Sequence, residues 1–275
     1  MSSGGAGRVD DNPRHIFFSV VMPAHNEEEL IEHTCESIIR EFESNRIDDY
    51  EILIVNDNST DGTGKRIASL EKMFPAVRGV TNTPPNGYGF AVRKGLETFR
   101  GDVACVVMAD LSDSPADIVR YYREIQNGAE CVFGSRWDRG SRVYDYPVIK
   151  LVLNRLANWF IKVLFNIDYN DTTNAFKCYR REVIEGIQPL LSHHFNLTVE
   201  LPLKAIVRGY QYKVIPISWT NRVAGVSKLK IKEMGSRYLF IILYVFLEKM
   251  LSRGDYRRVQ KERAAAGKVG ERSAV

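Results

Sequence analysis

Between Val103 and Pro115 the chain reads VACVVMADLSDSP. Val103 to Met108 is an uncharged apolar run rich in β-branched residues, the pattern of a strand buried on both faces. It stops at Asp110, and Ser112, Asp113 and Pro115 follow at once as oxygen ligands and turn formers. In open α/β sheets ligands lie just beyond the carboxyl ends of the strands. An acidic turn there suits a hard cation holding a phosphate-bearing substrate. The same residues equally suit a polar loop capping a helix from Pro115, so this stretch alone leaves both readings open.

A second acidic turn shifts the balance. Glu51–Val55 (EILIV) predicts a strand, and Asn56-Asp57-Asn58-Ser59-Thr60-Asp61-Gly62-Thr63 follows it directly. Capping of a helix over Gly64–Phe74 accounts for Asp61 and Thr63 but leaves Asp57 over. Neighbouring parallel strands would bring Asp57 and Asp110 to one sheet edge. Upstream, His15–Met22 predicts the first strand, ended by Pro23. A helix follows, with apolar Leu30, Ile31, Cys35, Ile38, Ile39 and Phe42, and Asn26 is placed to cap it.

Val77–Thr81 predicts a third strand before the loop Asn82–Phe90 (NTPPNGYGF), where Gly87 and Gly89 allow a ligand close backbone approach. Neither this loop nor Gly62-Thr63-Gly64-Lys65 has the spacing of a dinucleotide fingerprint or a P-loop. A helix over Ala91–Phe99 carries Arg93 and Lys94, and Cys131–Phe133 predicts a further strand ending in Gly134-Ser135-Arg136-Trp137. Strands alternating with helices, each strand ending in polar residues, predict an α/β, doubly wound sheet.

The chain has 275 residues and a net charge of +4, which gives no global nucleic-acid signature. Cys35, Cys105, Cys131 and Cys178 lack zinc spacing and read as reduced core thiols of a cytosolic protein. His33, His193 and His194 likewise read as ordinary surface or core side chains. Met1–Asn12 lacks the apolar centre of a secretory signal, and no apolar run approaches the ~20 residues that cross a bilayer. The expectation is a chain that does not span a membrane.

Taken in order, Pro23-Ala24-His25-Asn26-Glu27, Val55–Thr63 and Met108-Ala109-Asp110-Leu111-Ser112 resemble the motifs of family 2 glycosyltransferases. Gly134-Ser135-Arg136-Trp137, Asp171–Tyr179 (DTTNAFKCY), Arg180-Arg181-Glu182-Val183 and Arg222–Leu229 (RVAGVSKL) are similar to polyprenyl-phosphate sugar synthases of the dolichyl-phosphate mannose synthase type. The resemblance implies a GT-A nucleotide-sugar-binding fold over residues 15–233, including a helix near 147–167. It implies that Pro23, Ala24, Glu27, Asp57, Gly87, Arg93, Ala109, Asp110 and Lys228 bind the nucleotide sugar. Asp110, Arg136 and Arg222 would be catalytic, and Arg136, Lys150 and Arg155 would hold the acceptor phosphate. Asp110 would bind Mg²⁺ or Mn²⁺. The family pattern Asp-x-Asp is broken here by Met108, which passes a ligand role to Ser112 or Asp113. Asn56 and His25 also depart from the pattern, standing where an acid and a tyrosine are common.

The implied reaction is inverting transfer of a hexose, mannose from GDP-mannose foremost, onto a polyprenyl phosphate. A phosphate monoester with a second pKa of ~6 is ionised at neutral pH and attacks without a general base. Asp113 is an available base if the acceptor is a hydroxyl, and a catalytically silent nucleotide-sugar-binding scaffold is the reading Met108 would favour. Residues 147–167 and 234–252 carry apolar and aromatic residues flanked by Lys and Arg, as do helices lying in a membrane interface. Packing on the sheet or an oligomer interface would explain the same pattern. A basic tail over 253–275 suits an anionic membrane surface on the cytoplasmic side, and residues 1–14 and the tail read as disordered.

Overall fold

The computed structural model describes residues 15–221 and 231–258. Residues 1–14 and 259–275, and with them Arg222 and Lys228, lie outside the described residues. The first half alternates strand and helix: β1 (Phe18–Ala24), α1 (Ile31–Ser44), β2 (Tyr50–Asn56), α2 (Thr63–Met73), β3 (Val77–Thr81), α3 (Tyr88–Thr98), β4 (Val103–Val106) and α4 (Pro115–Gln126). The second half is less regular. It runs β5 (Cys131–Ser135), β6 (Arg142–Tyr144), α5 (Val148–Phe165), β7 (Lys177–Arg180), α6 (Arg181–Gly186), α7 (Leu197–Val207), β8 (Tyr212–Pro216), β9 (Ser218–Thr220) and α8 (Ile231–Leu251).

Seven strands form one sheet in the order β3-β2-β1-β4-β7-β5-β8. β7 alone runs antiparallel to its neighbours β4 and β5, so the sheet is mostly parallel, as predicted. Alternate residues of the central strands feed the two faces. Phe18, Val20 and Met22 of β1, with Ile52 and Ile54 of β2, pack on one side. Val21, Leu53 and Val55 pack on the other, against α3, α6 and α7. Burial on both faces is why these strands read as continuous apolar runs. All four cysteines are buried and unpaired, as expected, and burial pushes the Cys35 thiol up to about 12.

Three local readings are corrected. Pro23 does not end β1 but lies within it, in register with Val55. Its ring replaces an N–H on the side facing β4, where the ladder has already stopped at Val21 and Val106, so no strand bond is lost. Asn26 does not cap α1, which begins only at Ile31; it sits at φ +54° and accepts the Thr60 N–H at 2.8 Å. Finally, β2 and β4 are not neighbours, because β1 runs between them.

α5 and α8 lie outside the sheet layers and pack on α7. Ile161 and Phe165 of α5 meet Val199 and Leu203 of α7 and Ile241, Ile242 and Val245 of α8. α8 is fastened by Lys249, whose Nζ donates to the Phe165 carbonyl at 2.6 Å. A buried ion pair adds to this: Arg208 donates to the Glu248 carboxylate at 2.8 and 3.0 Å. The outer faces stay in solvent, with Ile149 73%, Trp159 62% and Phe240 62% exposed. Thus part of each helix packs inward, as the alternative reading required, and part remains an uncovered apolar surface. No helix among the described residues is long and apolar enough to cross a membrane.

Removing one partner of a buried ion pair strands the other in the interior, at a cost of about 3–5 kcal/mol. Glu248→Ala should therefore lower the urea midpoint by that equivalent. Arg208→Met combined with Glu248→Leu should recover most of it in the same unfolding measurement.

Candidate functional site

A cavity of about 660 Å³ opens at the carboxyl ends of β1, β2 and β4. Pro23, Ala24, His25 and Glu27 line it after β1, Asp57 after β2, and Met108, Asp110, Ser112 and Asp113 after β4. Asp57 is 4% exposed and organises the neighbouring loop. Its Oδ1 accepts from Asn82 Nδ2 at 2.8 Å and its Oδ2 from the Gly87 N–H at 2.8 Å. Each oxygen keeps a further lone pair for a ligand. His25 Nδ1 lies 2.7 Å from the Asp57 carbonyl oxygen, which can only accept, so Nδ1 carries the ring proton.

The acidic turn after β4 is strained. Leu111, between Asp110 and Ser112, sits at φ +58°, a left-handed conformation that a branched side chain adopts at a cost. The turn closes as Asp110 Oδ1 accepts the Ser112 N–H at 3.1 Å and Asp113 Oδ2 accepts the Met108 N–H at 3.1 Å. Asp113 therefore folds back to the backbone of the residue where the family pattern has its first acid. Burial pushes its carboxyl up to about 7; the Met108 N–H opposes the rise and the Asp110 charge adds to it. Two buried carboxyl groups this close in the chain are a fitting pair for a divalent cation. Among the described residues no group of three His, Cys, Asp or Glu side chains is gathered to hold a metal alone. Magnesium commonly completes such a two-carboxylate shell with substrate phosphate and water.

The opposite wall is basic and aromatic. Arg136 is held in a fork by Asp171, Nε to Oδ2 at 2.8 Å and Nη2 to Oδ1 at 2.7 Å, and its backbone N–H joins Oδ2 at 2.9 Å. Burial favours a neutral guanidine, and Asp171 outweighs that and pushes the Arg136 pKa up. The guanidinium lies 5.5 Å from the Tyr146 ring centroid, 5.8 Å from Trp137 and 5.9 Å from Trp219. The small β6–β9 sheet joins the two walls. Trp219 bridges Asp113, and the Thr220 N–H donates to the Ser112 carbonyl at 3.1 Å. Behind Asp171, Lys177 donates to the carbonyls of Thr172 and Thr198 at 3.1 Å each, and also to that of Asn174. Burial pushes the Lys177 amine down to about 7, with Asp171 opposing.

Of the sequence-predicted residues, Pro23, Ala24, Glu27, Asp57, Gly87, Asp110, Ser112, Asp113, Arg136 and Lys150 lie together around this cavity, and Ala109, Arg93 and Arg155 do not line it. Ala109 is buried, with its carbonyl accepting the Thr34 hydroxyl at 3.0 Å. Arg93 lies half-buried on α3, and Arg155 lies on the exposed side of α5 over the Trp137 ring at 5.5 Å. Gly89 serves the protein's own packing rather than a ligand: a Cβ there would lie 2.4 Å from the His193 carbonyl carbon. His194, read as ordinary, lines the cavity, as do Tyr88, Phe195, Trp219 and Arg237. Sequence reasoning missed His194, Phe195, Trp219 and Arg237 because they come from distant segments; Tyr88, beside Gly87, and Asp171 stood within quoted stretches, but without a role.

A model of the family described as Glycosyl transferase family 2 matches residues 19–187, more than half of the chain. The chain belongs to this family. The family 2 transferase is 31% identical over 223 residues to polyprenol monophosphomannose synthase of Mycolicibacterium smegmatis, covering 76% of this chain and 80% of that protein. It is 30% identical over 216 residues to dolichol-phosphate mannosyltransferase of Pyrococcus furiosus, covering 77% of this chain and 59% of that protein. Glucosyl-3-phosphoglycerate synthase from Mycobacterium tuberculosis, crystallised with Mn²⁺, uridine diphosphate and phosphoglyceric acid, shares the fold. Its TM-score is 0.63 at 18% identity, over 85% of this chain and 78% of that one. The transferase is thus an enzyme with a GT-A-like α/β fold, similar to polyprenol- and dolichol-phosphate mannose synthases.

Asp171→Asn keeps the size of the side chain but removes the charge that aims Arg136. A small misplacement of a positioning group costs about 10²-fold in rate. The variant should lose kcat by that order while its far-UV circular dichroism stays unchanged. A variant that keeps full kcat would leave the Arg136–Asp171 fork a structural pair only.

Proposed function

We propose that this transferase moves mannose from GDP-mannose to a polyprenyl phosphate at a membrane surface, with inversion at the sugar carbon. One observation carries the reading beyond the relatives' names. The cavity that gathers the acids also takes Pro147 and Lys150 from the start of α5 and Arg237 from α8, the two helices with uncovered apolar faces. A water-soluble phosphate acceptor needs no such faces; an isoprenoid does.

In this reading Glu27, Asp57 and the Gly87 backbone hold the nucleotide. Asp110, with Asp113 and Ser112, would hold Mg²⁺ or Mn²⁺, which when bound neutralises charge on the leaving diphosphate. Arg136, held by Asp171, and Lys150 orient the acceptor phosphate for in-line attack. An acceptor oxygen bonds to the anomeric carbon as the bond from that carbon to the nucleoside diphosphate breaks. The acceptor phosphate is already ionised, so no side chain need remove a proton, and the chain contributes positioning and electrostatics. The family resemblance assigns Arg222 and Lys228 to the phosphates as well.

The outer faces of α5 and α8 dock on anionic lipid, with Lys162 on α5 and Arg253 just past α8 supplying positive charge. Four buried unpaired thiols support a reducing compartment, hence the cytoplasmic side. A second reading is favoured by the Asp113 carboxyl, pushed up to about 7. A group of that pKa suits general-base work on a hydroxyl acceptor.

Purified protein with Mg²⁺ or Mn²⁺, labelled GDP-mannose and polyprenyl phosphate should move label into the organic phase, and EDTA should stop it. Asp110→Ala should reduce transfer by about 10²-fold or more. Transfer to a lipid alcohol but not to the phosphate would replace the first reading by the second. Trp159→Glu with Phe240→Glu should cut sedimentation with phosphatidylglycerol vesicles about tenfold while leaving binding of Mg²⁺ and GDP intact. Unchanged sedimentation would remove the membrane-docking role.

A further inference from the structure

β7 carries Lys177 in register with Val106 of β4 and Phe133 of β5, and only 1% of the residue is exposed. A charge buried there needs partners. The Asp171 carboxylate favours the charged amine, but both its oxygens are bonded to Arg136. Lys177 instead meets three backbone carbonyls, those of Thr172 and Thr198 at 3.1 Å each and that of Asn174. An ammonium has three N–H donors and no acceptor. Donors and carbonyls therefore match one to one.

Two of the three carbonyls belong to the turn that begins at Asp171. That turn has one backbone bond of its own, from the Asn174 N–H to the Asp171 carbonyl at 3.1 Å. Its side chains reach outward. The Thr172 hydroxyl donates to Asn158 Oδ1 at 2.7 Å, and the Thr173 hydroxyl accepts from Asn154 Nδ2 at 2.7 Å, both on α5. Asn174 Nδ2 donates to the carbonyl of Gly134 at 3.2 Å, two residues before Arg136. The third carbonyl, that of Thr198, stands in the first turn of α7. Thr173, Asn174 and Thr198 all line the cavity. One buried amine thus ties the turn that carries Asp171 to the helix that lines the same cavity.

We propose that Lys177 is a positioning residue for the transfer reaction: its three N–H groups hold the Asp171–Asn174 turn against α7 and so fix the direction in which Asp171 aims Arg136. The inference rests on the reading of Arg136 as a contact for an isoprenoid phosphate. The donor side is held separately, by Asp57 accepting from Asn82 and from the Gly87 N–H. Loss of the amine is therefore felt at the acceptor and not at the nucleotide. A side chain that only supported the fold would weaken both alike.

Geranyl phosphate serves as a soluble acceptor probe, titrated calorimetrically into the full chain, with Mg²⁺ plus GDP as the donor-side comparison. Lys177→Met keeps an unbranched side chain and removes the donors. It should weaken geranyl phosphate about tenfold or more and leave GDP within about twofold. It should also lower kcat about 10²-fold with KM for GDP-mannose unchanged. Lys177→Arg keeps the charge and enough donors, and should recover most of both losses. Unchanged geranyl phosphate affinity in the methionine variant would overturn the proposal. So would an equal loss for GDP, or an arginine variant as impaired as the methionine one. If the methionine variant does not fold, Lys177→Gln, which keeps two donors, is read by the same criteria. If neither folds while the arginine variant does, Lys177 is a folding residue and the proposal fails. Wild-type protein that binds geranyl phosphate but transfers nothing from GDP-mannose would sink the mannosyl reading, and the binding contrast would still decide this inference. Wild-type protein that binds no geranyl phosphate would remove the acceptor reading and this inference with it.

Discussion

The site depends on three parallel strands, β2, β1 and β4, ending at the same edge of one sheet. Parallel strands must each be followed by a crossover, so three chain turns meet where the strands end. Backbone N–H groups at that edge no longer pair with a neighbouring strand. Carboxylates there can accept them, as Asp57 accepts the Gly87 N–H and Asp113 that of Met108. Acids are tolerated at 4–5% exposure because the same geometry that buries them supplies donors.

Charge is arranged across the cavity as two unlike walls. The acidic wall holds buried carboxyl groups, and burial, with the Asp110 charge adding, pushes the Asp113 carboxyl up. The basic wall begins with an arginine neutralised by its own carboxylate and caged by three aromatic rings, a rigid donor more than a charge. The β6–β9 sheet spans the two through Trp219 and Thr220. In the proposed reading the acidic wall would hold a cation against the leaving diphosphate, and the basic wall would offer oriented N–H groups to the acceptor phosphate.

α5 and α8 add a second constraint. Their inner faces close a small third core with α7 and their outer faces are left uncovered. Uncovered apolar area on this scale marks an interaction surface. Both helices also line the cavity, through Lys150 and Arg237, so the uncovered faces and the site are built from the same two elements.

Most of the framework was legible locally. Apolar runs marked β1, β2, β4 and β5, because a strand buried on both faces has no other way to be written, and the acids after β2 and β4 marked the edge where ligands bind. Pro23 misled, since whether a proline breaks a strand depends on which neighbour its missing N–H would face. Arg93 and Arg155 misled for a similar reason: a helix position says that a charge exists, not which way it is turned. By itself the sequence determined the α/β class and the order of its motifs, with Asp57, Asp110 and Arg136 just after predicted strands. Only the tertiary structure decided that Asp171 aims Arg136, that Asp113 folds back to residue 108, and that Arg237 shares a cavity with residues more than two hundred positions away. Those pairings are made by chain segments that meet only when the sheet and its outer helices have packed, and no local pattern of residues encodes such a meeting.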